Sequence, residues 1–143
     1  MMDFKNFPVV KIEHHHNSNK VIGKYPDVLK SIVDEGAMAE ACEEIFLWRD
    51  YEETALHSLD AIAKSLNIKN IYYKDESTRL GLGSFKALGG AYGVQKFLQE
   101  TLSKKTGKVV SLADIRCGTY RDLLSEITVV TATDGNHGRS VAW

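Results

Sequence analysis

"LGLGSFKALGGAYG", residues 80–93, sets one lysine among glycines and small apolar residues. Glycines let a backbone turn sharply and approach a ligand closely. The run Ala87, Leu88, Gly89, Gly90, Ala91 and Tyr92 predicts a helix packed tightly against a neighbour. That helix starts at Gly83 or Ser84 and runs to about Leu102, which puts Lys86 in its first turn. Unpaired backbone N–H groups point outward there, and the helix dipole disfavours a cation. A lysine in a small apolar pocket at such an end has its ammonium form disfavoured. The neutral amine is a nucleophile that forms Schiff bases with carbonyl compounds. An ordinary exposed lysine is the other reading.

Outward from this stretch, "NIKNIYYKD" turns to β-forming residues, so Ile71 to Lys74 is a predicted strand, with Tyr72 and Tyr73 as strand and core residues. It ends in the polar cluster Asp75, Glu76 and Ser77. Asp75 and Glu76 with Arg79 read as an ion-paired brace for the loop. Further on, "ITVVTAT", residues 127–133, is β-branched and nearly all apolar, the pattern of a buried parallel strand. The turn "DGNHG" follows, and then a helix from Gly138 to Trp143. The chain thus holds two strand–loop–helix units. In open α/β sheets ligands bind beyond the carboxyl ends of the strands. Thr133, Asp134, Gly135, Asn136 and His137 would stand at a helix N-terminus, where backbone N–H groups hold anions.

The remaining segments complete an α/β pattern. Residues 1–24 are mixed and mostly polar, with a short predicted strand at Val9 to Ile12. His14, His15 and His16 are consecutive, so they read as a solvated loop rather than a metal site. A short helix is expected over Asp27 to Lys30, after Pro26. Gly36 to Tyr51 carries Met38, Cys42, Ile45 and Phe46 at helical spacing. Residues 53–66 predict a second helix with Leu56, Leu59, Ile62, Ala63 and Leu66 on one side. Residues 111–126 are weakly helical and break at Gly118. Alternating helices and strands predict a layered α/β domain. At the C-terminus, Val141, Ala142 and Trp143 lie on a helix only just begun, and a single turn is not stable without elongation or packing. The expectation is therefore the front part of a longer protein; a terminal turn docked on the core is the alternative.

Composition narrows the function classes. The 143 residues are 43% hydrophobic and 26% charged, with a formal net charge of -1, ordinary values for a globular protein. No basic run interleaved with aromatics suits nucleic acid. No apolar stretch approaches the roughly 20 residues of a membrane span. The N-terminal residues lack the apolar core of a signal peptide. Cys42 and Cys117 make no disulfide framework. A soluble cytoplasmic protein is expected. "GLGSFKAL" fails the nucleotide-hydrolase phosphate loop, "GLGSFK" fails the dinucleotide fingerprint, and no paired ligands suit zinc. A lysine acting through its nitrogen remains.

"KDESTRLGLGSFKALGGAY" followed by "TATDGNHGRSVAW" resembles the pyridoxal-phosphate enzymes of the tryptophan-synthase-β type (fold type II), and within them the diaminopropionate ammonia-lyases. The broad type rests on the SFK lysine and the GNHG loop. The narrower likeness rests on "KDEST", on Asp134 directly before "GNHG", and on "GRSVAW". It continues more weakly upstream through "FLWRDYEETALHSL" and covers roughly residues 45–143. Ala55 stands where the family usually has proline, and the helical stretch before the second strand is longer.

This resemblance implies a partial three-layer α/β region over residues 45–143, lacking its C-terminal part, behind an N-terminal extension and helix over 1–44. It implies pyridoxal 5'-phosphate as cofactor, a small amino-acid substrate, and a homodimer for the full-length family member. Lys86 would hold the cofactor and then remove the α-proton on its own face. Phe85 would pack beside the ring, and Asn136 would hydrogen-bond the ring hydroxyl. Backbone groups of Thr133, Asp134, Gly135, Asn136 and His137 would receive the substrate carboxylate. Asp134 would take the proton of the opposite enantiomer or handle the leaving amine. The products would be pyruvate and ammonia. Asp134 as a helix N-cap, Asn136 as a turn residue and His137 as a structural residue are the plainer alternatives. A serine or threonine dehydratase, an inactive truncated remnant and a small binding domain of the same fold stay open as functions.

Overall fold

The computed structural model describes Glu13, residues 15–133 and residues 135–143. The predicted strand Val9–Ile12, His14 and Asp134 lie outside the described residues. His15 and His16 are exposed and belong to no helix or strand. Pro26 leads into a single 3-10 turn, Asp27–Leu29, where the short helix was expected.

Helix α1, Glu35–Phe46, starts at Asp34, whose Oδ1 accepts from Ala37 N at 2.7 Å. Such a cap satisfies one of the orphan donors of the first turn. The helix ends five residues before Tyr51, and its inner side is not the expected one. Met38, Cys42 and Phe46 are exposed, whereas Glu44 and Trp48 are buried and Ile45 is half-buried. The reason is a polar knot. Gln95 Nε2 donates to Glu44 Oε1 at 2.6 Å and to Leu112 O at 3.3 Å. Trp48 Nε1 donates to Gln95 Oε1 at 3.2 Å. Arg116 Nη1 reaches both Glu44 carboxylate oxygens at 2.7 and 2.8 Å. A buried carboxylate is tolerable only when paired and hydrogen-bonded, so Glu44 turns inward because partners from two other helices meet it.

Residues 53–66 depart from the single helix expected of them. Strand β1, Leu56–Ser58, pairs antiparallel with β2, Tyr72–Lys74, in the register Leu56↔Lys74, His57↔Tyr73 and Ser58↔Tyr72. Only Asp60–Ser65 is helical, as α2, and Ala63 is its one buried residue. Pairing with a strand sixteen residues on outweighs local periodicity, as tertiary context routinely does. Tyr72 and Tyr73 are in the strand as expected but exposed, not core.

Helix α3, Lys86–Thr106, is the spine. It begins two residues after Ser84, not at it. Ser84 nonetheless organises its start, because Ser84 Oγ accepts from Lys86 N and Ser84 O from Ala87 N. It ends four residues beyond Leu102, at Gly107, whose φ of 67° is the left-handed cap that glycine supplies. Helix α4, Leu112–Arg116, carries a capping box between Ser111 and Asp114. Gly118, at φ 70°, breaks the chain before α5, Arg121–Leu124. Both features match the weak, interrupted helix read over 111–126.

Residues 127–133 form no strand. Among the described residues the sheet has two strands, neither of them from this segment, and Val130 is 87% exposed. A β-branched run needs a ladder partner, and none lies beside it among the described residues. The described architecture is a helix-rich, partial α/β fold with one antiparallel ribbon. Helix α6, Asn136–Ala142, closes the chain and packs on α3. Trp143 is not without a partner, for its ring tilts against Trp48 at 5.3 Å. The core joins Trp48, Leu80 and Ala87, flanked by Ile45, Tyr51, Leu82, Leu88, Ala91 and Tyr92. No helix among the described residues is long and apolar enough to cross a membrane.

Candidate active site

The loop leading to Lys86 is built around a buried guanidinium. Arg79 is 5% exposed. Its Nε and Nη2 donate to the two Glu76 oxygens at 2.8 and 2.9 Å, its Nη1 to Glu52 O at 2.8 Å, and its Nη2 also to Thr54 Oγ1 at 3.0 Å. Thr54 Oγ1 in turn donates to Glu76 Oε1 at 2.6 Å, and the guanidinium lies over the Tyr51 ring at 5.3 Å. Hydrogen bonds from Arg79, above all, pull the Glu76 carboxyl down to about 2. Asp75 is held below the usual carboxylate range chiefly by hydrogen bonds from Ser77. Of the brace expected from Asp75, Glu76 and Arg79, the Glu76–Arg79 pair is present, whereas Asp75 bonds Ser77 and pairs with His57 instead; the partners Thr54, Glu52 and Tyr51 were not anticipated, because nothing local marks them.

Leu80 follows in the left-handed region, at φ 50°. For a residue with a branched side chain this costs about 1–2 kcal/mol, and it persists because both neighbours hold it. Arg79 is fixed on one side, and the buried Leu80 side chain packs with Trp48 and Ala87 on the other. Gly81 and Gly83, at φ 66° and 71°, finish the turn. Lys86 then opens α3, half-buried, with Phe85 beside it 67% exposed.

The second loop is pinned by a threonine. Thr133 Oγ1 accepts from Gly135 N at 2.9 Å and Gly138 N at 2.6 Å. A Cβ on Gly138 would stand 2.6–2.9 Å from the Thr133 side chain, so only glycine fits. Gly135, at φ 122°, makes the turn that starts α6 at Asn136. Ser140 of α6 donates from Oγ to Ala87 O at 2.9 Å, which brings α6 within one turn of Lys86. Gly90 is what lets it in, since a Cβ there would lie 2.9 Å from Ser140 Cβ. Mid-helix glycine costs about 1 kcal/mol relative to alanine, and that cost was the available sign of a close crossing.

Between these parts runs a cleft of about 270 Å³. Gly89, Gly90, Gly93, Val94 and Phe97 of α3 line one side, and Val129 to Thr131, His137 and Val141 the other. Of the residues expected from the sequence, His137 lines this cleft. Phe85, Thr133, Gly135 and Asn136 are exposed. Residues 86, 89 and 93 share one helical face, and the space a Cβ would fill at Gly89 and Gly93 is open.

Residues 47–143 match the family described as pyridoxal-phosphate dependent enzyme. The chain belongs to that family. Within it, the chain is 42% identical over 94 residues to a diaminopropionate ammonia-lyase of Salmonella typhimurium, covering 66% of this chain and 23% of that protein. It is 41% identical over 97 residues to a diaminopropionate ammonia-lyase of Escherichia coli, covering 65% of this chain and 22% of that protein. It thus spans less than a quarter of the length of these relatives. Members of the family depend on pyridoxal phosphate, and the residues present suit that group. One half-buried amine heads a helix, an exposed aromatic stands next to it, and an open glycine-lined face continues from it along α3.

Proposed function

We propose that this chain carries the lysine-bearing part of an enzyme that converts 2,3-diaminopropionate and water to pyruvate and two molecules of ammonia. The observation that carries the reading is the extent of the family match, 47–143, which takes in both loops that approach the start of α3. The similar diaminopropionate ammonia-lyases supply the substrate.

Pyridoxal phosphate, when bound, supplies an electron sink for the substrate's α-carbon. Lys86 would hold it through Nζ and accept the α-proton on its own face. Phe85 would pack beside it, and Asn136 would hydrogen-bond its ring hydroxyl. Backbone N–H groups of the Thr133–His137 loop take the substrate carboxylate. Asp134 adds a carboxylate where it would repel the substrate's own, a cost that makes sense if it accepts the proton Lys86 cannot reach or draws in the second ammonium. A cytoplasmic homodimer, a three-layer α/β domain and a boundary at residues 44/45 belong to the same reading and rest on the resemblance.

The test is substrate preference in the purified enzyme that contains these residues, with pyridoxal phosphate; residues 1–143 by themselves are expected to be inactive. Diaminopropionate turning over faster than serine supports the ammonia-lyase; the reverse order makes it a dehydratase.

A further inference from the structure

Ser140 is the most deeply buried polar side chain among the described residues, 1% exposed, and the roles just proposed do not use it. Its hydroxyl donates to Ala87 O, the carbonyl next to Lys86, at 2.9 Å. It occupies a notch that exists only because residue 90 is glycine, an otherwise disfavoured residue inside a helix. Two residues earlier in the same short helix, Gly138 abuts Thr133, whose hydroxyl gathers the Gly135 and Gly138 N–H groups. Thr133 therefore fixes the shape of the loop, and Ser140 fixes where that loop stands relative to α3.

We infer that Ser140 is a positioning residue: its hydrogen bond to Ala87 and its fit against Gly90 set the spacing between the Thr133–His137 loop and Lys86. The loop's backbone and the lysine amine then meet the carboxylate and the α-carbon of one substrate molecule. The inference rests on the function proposed above.

The experiment compares the purified protein with Ser140→Ala, Gly90→Ala and the exchange Gly90→Ala/Ser140→Gly, all with pyridoxal phosphate. Four quantities are read: the thermal midpoint, amide hydrogen exchange at Gly135–Arg139, the fraction of Lys86 trapped with the cofactor by borohydride, and steady-state kinetics with each 2,3-diaminopropionate enantiomer. Ser140→Ala should leave the trapped fraction unchanged, speed exchange at Gly135–Arg139 and raise KM about five- to tenfold while kcat moves less than about threefold, the scale of one lost hydrogen bond. Gly90→Ala should do more damage. The exchange variant should recover the thermal midpoint of Ser140→Ala and keep the raised KM, separating packing from the hydrogen bond. The inference is overturned if Ser140→Ala traps cofactor on Lys86 with exchange and KM unmoved, or if the exchange variant restores KM. If the unmutated protein traps nothing on Lys86, the proposed function fails instead, and hydrogen exchange alone decides for or against the positioning role.

Discussion

The two loops that approach the start of α3 are held in opposite ways. Residues 75–83 hang on a dense network: Arg79 and Glu76 bond each other and Thr54, Arg79 also reaches Glu52 O, and Leu80 is pressed into a left-handed conformation beneath them. Residues 127–138 have fewer anchors. An apolar segment with no ladder partner among the described residues leads to a turn held by one threonine hydroxyl and by α6 lying on α3. The first loop is fixed by many bonds, within itself and to residues 52–54, whereas the second is fixed by few. A lysine that must present one atom reproducibly gains from the first design. A loop of backbone donors that must meet a substrate can use the second.

Substitutions test the contrast. Arg79→Ala should have the largest effect, a loss of about 3 kcal/mol in a denaturant titration, because it strands Glu76 and Thr54 without their buried partner. A change below about 1 kcal/mol would remove the claim that the Arg79 network holds this loop. Acid should strike the same loop. The Glu76 carboxyl ionises near 2 in the folded chain against an ordinary 4.5, so its contribution is complete above pH 4.5 and disappears as pH falls toward 2. That contribution is up to about 3 kcal/mol, and Glu76→Gln should flatten stability across this pH range. In the second loop, Gly138→Ala should cost about 2 kcal/mol by overpacking against Thr133. Its effect on hydrogen exchange should stay within residues 133–143. Val130→Ser should come last, costing less than about 0.5 kcal/mol because the side chain is already in water. A cost above about 1.5 kcal/mol would show that 127–133 is buried, as its sequence suggests.

How much of this was legible follows the range of the interactions. Helix α3 could be read from "SFKALGGAY", and the interruption at Gly118 from one glycine, since both depend on near neighbours. The Glu76–Arg79 pair was visible because its charges lie three residues apart, whereas Asp75 turned to Ser77 and His57 instead. Strand β1 was not, because Leu56 pairs with Lys74 and helical spacing disguised it. The inner face of α1 was misread because Glu44 is buried by Gln95 and Arg116, both far along the chain. "ITVVTAT" shows the reverse failure, a strand composition with no strand beside it to pair with. At the candidate site, Lys86 stood out by its surroundings, whereas Ser140 looked like any polar residue of a helix until Gly90 was seen against it.

The account turns on Lys86 being the cofactor-bearing amine. The purified enzyme that contains these residues, mixed with pyridoxal phosphate, should develop a visible absorbance band that borohydride bleaches, and peptide mapping should place the reduced adduct on Lys86, with the band lost in Lys86→Ala. An adduct mapped to another lysine, or a band that survives in Lys86→Ala, would contradict it.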